Sequence, residues 1–179
     1  MSVFCIFQVN KSVNNFLYKK IYWTIILEKN VVNGISKFNF FKALLMKDHQ
    51  VQVRVRYSET DQMGVVYHGN YIPYFEIGRV EWLRNKGVSY KVMEENGIAL
   101  PIVSMNINYK KSARYDDLLT VHTRFKSQTS VKIEFDCAIY NEAQELLTTA
   151  EFVLVFVSLK TGRPVAPPDY ILELLKTID

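Results

Sequence analysis

The sequence predicts an α+β fold in which one antiparallel sheet wraps around a long central helix. Three observations predict it: an alternating strand near Gln50, a helix from Tyr71 that is apolar almost all round, and a run of four strands after it. A helix apolar on every side and a sheet apolar on one face each need cover, and wrapping one around the other supplies both.

In the first strand, Val51, Val53, Val55 and Tyr57 alternate with Gln52, Arg54, Arg56 and Ser58, the pattern of a half-buried strand. Residues 58–70 read as loop, with Gly64 and Gly69. Asn70 suits an N-cap, and Pro73 falls in the first helical turn, where its missing N–H costs little. Over Tyr71–Lys86 the residues Ile72, Phe75, Ile77, Val80, Trp82 and Leu83 cover most of the helix surface, and Gly87 is the expected stop. Such a helix is roughly 24 Å long, enough to cross a small domain. Glu76 and Arg79, one turn apart, read as an internal ion pair.

Ser89–Asn96, closed by Gly97, reads as a short second helix, and everything after it as strand. Ile98–Tyr109 places Val103, Met105, Ile107 and Tyr109 on one face. Leu119, Val121, Thr123 and Phe125 alternate with Thr120, His122, Arg124 and Lys126, which leaves His122 on an exposed polar face. Val131–Ile139 alternates again and puts Cys137 among apolar neighbours as a buried, inert thiol. Phe152–Val157 is apolar on both faces, as in a central strand, and the loops at 127–130 and 141–144 have hairpin length.

The chain has 179 residues and a formal net charge of +4. One domain is the expectation at that length. A pI near 8.9 points at first to nucleic acid or a membrane surface. The charge is unevenly placed, however. Residues 1–45 carry six Lys and one acid, Glu28, whereas residues 46–179 hold sixteen basic and seventeen acidic residues. Residues 1–45 are rich in Phe, Asn, Lys and Ile and contain no Arg, Asp or Pro, the composition AT-rich DNA encodes when no fold is selected. Phe16–Leu27 within them is apolar enough for a strand or short helix. The reading is an N-terminal extension not needed for function, with Met46 as the working start and 46–179 as the functional domain. A basic tail that touches a membrane or partner is the competing reading. No nucleic-acid partner is expected of the near-neutral domain. The apolar run Ile21–Leu27 is far short of the about 18–20 residues of a membrane span. Two cysteines, Cys5 and Cys137, exclude a disulfide framework and suit a reducing, cytoplasmic setting.

The chemistry is concentrated in Tyr57-Ser58-Glu59-Thr60-Asp61-Gln62-Met63-Gly64-Val65-Val66-Tyr67-His68-Gly69-Asn70-Tyr71, which runs from the first strand into the helix N-terminus. The first N–H groups of a helix lack internal partners and carry the positive end of its dipole, so they can stabilise an oxyanion. Asp61 stands a few residues upstream, in range for a nucleophile or general base; a turn-capping Asp61 and a packed loop His68 are the structural alternative.

This run resembles the motif of the 4-hydroxybenzoyl-CoA thioesterase-like family of hotdog-fold acyl-CoA thioesterases, most of all the branch associated with the Tol-Pal system. The resemblance covers about residues 50–175 and is carried by Glu59-Thr60-Asp61, Gly64-Val65-Val66-Tyr67-His68 and Asn70-Tyr71. It implies that Asp61 is the catalytic carboxylate, as nucleophile or general base, and that a backbone N–H near His68 polarises the thioester carbonyl. It further implies that His68 and Tyr57 orient the carboxylate or water, or protonate the leaving thiolate, and that Tyr67 and Asn70 meet the substrate. The family's domains pair through their sheets into dimers, often dimers of dimers, so a homodimer or homotetramer with its site at the interface is implied. Met63 departs from the family, which often has a small residue there, and this bears on the shape of the acyl pocket.

Lys110, Lys111 and Arg114 form a basic cluster that suits the phosphates of coenzyme A or, equally, a solvated strand end. Thr129 and Ser130 lie in a turn that could meet the nucleotide. His49, His68 and His122 are scattered without supporting Cys or carboxylates, so neither a metal site nor a cofactor is expected. The implied substrate is acyl-CoA or an acyl-carrier-protein thioester. The competing functions are a hotdog hydratase or dehydratase and a non-enzymatic module that binds acyl-CoA or acyl-carrier protein.

Overall fold

A computed structural model describes residues 48–176. The extension expected over residues 1–45, its Phe16–Leu27 segment and the Met46 start lie outside the described residues. The strands are β1 (Asp48–Arg54), β2 (Ile98–Ala99), β3 (Ile102–Tyr109), β4 (Leu118–Gln128), β5 (Lys132–Tyr140), β6 (Leu146–Val155) and β7 (Val157–Ser158). The helices are α1 (Tyr71–Asn85), α2 (Tyr90–Glu95) and α3 (Asp169–Lys176).

Five strands form one antiparallel sheet in the order β1-β4-β5-β6-β3, and β2 pairs with β7 in a separate ribbon. The expected sheet and central helix are therefore present, as are both hairpins, β4–β5 and β5–β6. Burial alternates along β5, where Ile133, Phe135, Cys137 and Ile139 face inward. The inward faces of β4, β5 and β6 meet α1. Phe75 lies against Phe152, and Trp82 stacks on Phe125 and meets Phe135 edge-on, at centroid distances of 5.5, 5.9 and 5.1 Å. Gly78 lets the helix come this close. A Cβ there would lie 2.5 Å from Thr123 Oγ1 and 2.8 Å from Val121 Cγ1, so β4 accepts only a bare backbone at that turn.

Two sequence expectations are corrected. The chain is not all strand after α2, because α3 closes the C-terminus with Ile171 and Leu175 buried four residues apart. Its start signal was present in Pro167-Pro168-Asp169, with Ile171 N–H bonded to Pro168 O. Nor is Ile98–Tyr109 one strand. Pro101 interrupts it, since proline donates no ladder hydrogen bond, and β2 and β3 join different sheets. As a result β3 is an edge strand with Val103, Met105 and Tyr109 exposed.

Two side chains also differ from expectation. Arg79 makes no ion pair with Glu76 among the described residues; it is buried, with its guanidinium 4.1 Å over the Phe152 ring, while Glu76 is exposed. His122 is half-buried rather than exposed, because Tyr140 on β5 covers it at 4.7 Å between ring centroids. Burial holds its pKa below the ordinary 6.5. A depressed histidine contributes stability that is present above about pH 6.5 and is lost as pH falls through its folded value. The His122→Gln variant is therefore expected to lose less stability than the parent between pH 7.5 and 5.5, as read by urea midpoints. An unchanged pH dependence would count against this. Cys137 is buried as expected, and burial pushes its thiol up to about 12.

Candidate active site

The loop between β1 and α1 is folded by its own backbone. Tyr57–Glu59 makes one 3-10 turn and His68–Asn70 another, the second leading directly into α1. Between them Thr60 bridges Val66, Asp61 N–H bonds Val65 O at 2.9 Å, and Gly64 N–H returns to Asp61 O at 3.0 Å. Gly64 closes this turn at φ +71°, which glycine adopts without a Cβ penalty.

Asp61 is half-buried, and its Oδ1 accepts the Met63 N–H at 2.8 Å, so the turn itself orients the carboxylate. The turn-capping alternative is thus present, and it leaves Oδ2 without a described partner. Met63, the departure from the family pattern, has its side chain 76% exposed. At the helix start, Asn70 N–H turns back to Tyr67 O at 2.8 Å, while the N–H groups of His68 and Gly69 have no acceptor among the described residues. The Asp61 carboxylate and the His68 and Gly69 amides therefore belong to one hydrogen-bonded loop.

The remaining candidates divide. The Tyr67 ring lies across Gly69 and packs against the His68 ring at 4.2 Å, and the His68 carbonyl accepts the Tyr109 hydroxyl at 3.0 Å, which joins β3 to the loop. Tyr57 is 78% exposed and meets Tyr115 edge-to-face at 5.5 Å, with no described contact to Asp61. Asn70 is occupied structurally: its Nδ2 donates to Glu59 O at 2.7 Å. Lys111 pairs with Glu145, Lys110 is exposed, and Arg114 lies beside the loop, its Nη1 3.9 Å from where a Gly64 Cβ would stand. Thr129 remains in the β4–β5 turn, its N–H bonded to Lys132 O.

Sequence reasoning quoted Glu59 within the motif but gave it no role, and the structure gives it the most partners. Its carbonyl accepts Tyr67 N–H and Asn70 Nδ2, and its carboxylate accepts Arg56 N–H at 2.7 Å and the Tyr74 hydroxyl at 2.6 Å. Burial, then the bond to Glu59, raises the Tyr74 pKa, so the hydroxyl stays protonated and donating. Glu59 and Tyr74 thus fasten the loop to the first turn of α1. No motif rule exposed this, because the bond depends on where the helix is placed.

The profile of the thioesterase-like superfamily matches residues 55–175, nearly all of the described chain. The chain belongs to this superfamily. The acyl-CoA thioester hydrolase YbgC of Escherichia coli is 34% identical over 124 residues, 69% of this chain and 92% of that protein. A DHNA-CoA thioesterase structure from Staphylococcus aureus is 34% identical with a TM-score of 0.69, over 73% of this chain and 87% of that one. A 4-hydroxybenzoyl-CoA thioesterase variant solved with 4-hydroxybenzoyl-CoA is 25% identical with a TM-score of 0.64, over 72% and 98%. Superfamily membership accounts for the fold: the sheet wrapped on α1 is the hotdog arrangement implied by the motif. Among the described residues no group of three or more His, Cys, Asp or Glu is placed to hold a metal, and no helix is long and apolar enough to cross a membrane.

Proposed function

We propose that this chain is a cytoplasmic acyl-CoA thioesterase in which Asp61 drives hydrolysis and the amides of His68 and Gly69 stabilise the oxyanion. The observation that carries the reading is the single hydrogen-bonded loop that holds the Asp61 carboxylate and delivers free amides at the start of α1. The similarity to YbgC, which is named as an acyl-CoA thioester hydrolase, supports the substrate class. Asp61 either attacks the thioester carbonyl itself, giving a mixed anhydride that water then hydrolyses to the free acid, or takes a proton from a water that attacks the carbonyl directly. Oxygen adds to the carbonyl carbon, the oxyanion rests on the amides, the C–S bond breaks and the CoA thiolate takes up a proton. Removing one oxyanion donor from such a site typically costs about 3–4 kcal/mol of transition-state stabilisation. His68 is the group nearest the loop's amides in sequence that can supply the thiol proton, and Tyr57, whose exposed ring packs edge-to-face on Tyr115, is the second candidate.

The phosphates of CoA fall to Arg114 and Lys110, with Lys111 exchanging Glu145 for a phosphate. Arg114→Ala is expected to raise KM for acyl-CoA about tenfold, equivalent to about 1.4 kcal/mol, with a smaller fall in kcat and a weaker salt dependence. Equal KM values for the two proteins would place the coenzyme elsewhere. The working unit is a homodimer or homotetramer, a reading supported by the exposed apolar side chains on the β3 edge. Thiol release measured across short, long and aromatic acyl-CoAs tests the activity. Saturable binding without thiol release from any of them would instead favour the binding-module reading.

A further inference from the structure

The loop between β1 and α1 doubles back on itself, and one residue closes its base. Asp61 lies on the outgoing arm, His68 and Gly69 follow the returning arm, and the Thr60–Val66 bridge joins the two. At the base, the Glu59 carbonyl accepts the Tyr67 N–H at 2.9 Å and Asn70 Nδ2 at 2.7 Å. Tyr67 and Asn70 are the residues on either side of the His68–Gly69 pair.

The Glu59 side chain ties that base to the helix. Its Oε2 accepts the Arg56 N–H at 2.7 Å and the Tyr74 hydroxyl at 2.6 Å, the length of a charge-assisted O–H···O⁻ bond. Tyr74 is a fixed reference: it is 1% exposed and meets Tyr71 edge-to-face at 6.1 Å, and the Tyr71 hydroxyl accepts the Ala113 N–H at 3.0 Å. The other oxygen, Oε1, lies 3.9 Å from the exposed Arg56 guanidinium, a pair that contributes little. With Oε2 engaged by two donors, this carboxylate is placed to hold the loop and not to exchange a proton with substrate.

We propose that Glu59 and Tyr74 are positioning residues for hydrolysis, their bond setting the Asp61 arm against the His68 and Gly69 amides. The effect on rate rests on the thioesterase reading; the anchoring of the loop base by Tyr74 does not. Misplacing reacting groups by about 1 Å can cost about 10²-fold in rate. Contacts to the coenzyme phosphates are made elsewhere, so the loss falls on kcat and spares KM.

The test is Tyr74→Phe, which keeps the buried ring and removes only the hydroxyl. The expected result in thiol release is a fall in kcat of about tenfold with KM within about twofold of the parent. Glu59→Gln, which keeps an acceptor oxygen, is expected to stay within about threefold of parental kcat, whereas Glu59→Ala loses at least as much as Tyr74→Phe. Tyr74→Phe added to Glu59→Ala is expected to cost nothing more, the mark of two groups acting through one bond. Amide hydrogen exchange reads the anchor without turnover: protection of the Tyr67 N–H is expected to fall about tenfold in Tyr74→Phe, with the amides of β5 unchanged. Parental kcat in a folded Tyr74→Phe overturns the proposal, as does a raised KM at unchanged kcat. Unchanged Tyr67 protection overturns it as well. No thiol release from any acyl-CoA by the parent protein, with Tyr67 protection lost in Tyr74→Phe, would support the anchor and overturn the hydrolase reading alone.

Discussion

Asp61→Asn is expected to slow thioester hydrolysis by about 10²–10⁴-fold, the range contributed by a positioned carboxylate acting in proton transfer. The substitution isolates the chemistry. An amide oxygen can still accept the Met63 N–H that Asp61 Oδ1 accepts at 2.8 Å, so the turn that closes at Gly64 is retained. What is lost is the ability to take a proton or to attack the carbonyl. Thiol release under saturating acyl-CoA measures the effect, with far-ultraviolet circular dichroism and gel filtration to confirm fold and assembly. A variant with near-parental kcat would show that the carboxylate is only a turn cap and would remove Asp61 from the mechanism.

The largest effect on stability is expected at Trp82. The residue is fully buried, stacks on Phe125 at 5.9 Å and meets Phe135 at 5.1 Å, so it joins α1 to β4 and β5 at the centre of the core. Trp82→Ala is expected to cost about 3–5 kcal/mol, through lost burial and the cavity left behind. Set against a typical total of about 5–15 kcal/mol, this removes a large share of the stability. With a urea slope of about 1–3 kcal/mol/M, the unfolding midpoint falls by roughly 1 M or more. A loss below about 1 kcal/mol would mean that neighbouring side chains close the space, contrary to the dense packing seen around the indole.

The two effects differ in how much of each could be read in advance. Trp82 was legible as core because the apolar residues of α1 surround the helix, and only burial satisfies such a surface. Asp61 was legible because a long motif ties it to a helix N-terminus. Its orientation was not, since that depends on Met63 N–H folding back across two residues. Tyr57 shows the limit from the other side: the motif groups it with Asp61, but its ring rests on Tyr115. Glu59 shows what contact alone supplies, because Tyr74 lies fifteen residues further on and meets it only after the loop and helix are folded. The missed α3 was a failure of a different kind. Its apolar residues Tyr170, Ile171, Leu172, Leu174 and Leu175 follow the Pro167-Pro168-Asp169 start signal, and reading everything after α2 as strand overlooked both.

By itself the sequence determined the sheet-and-helix architecture and the loop that carries Asp61. Periodicity and local chemistry act over a few residues, and those features are local. Tertiary structure decided which neighbours each side chain acquired. It placed Arg79 over Phe152 instead of on Glu76, covered His122 with Tyr140, set β3 at the sheet edge and bound Glu59 to Tyr74. The physical reason is common to all four. Pairing a charge, shielding a ring or exposing an edge depends on which strand or helix lies alongside, and that is fixed only when elements distant in sequence come together.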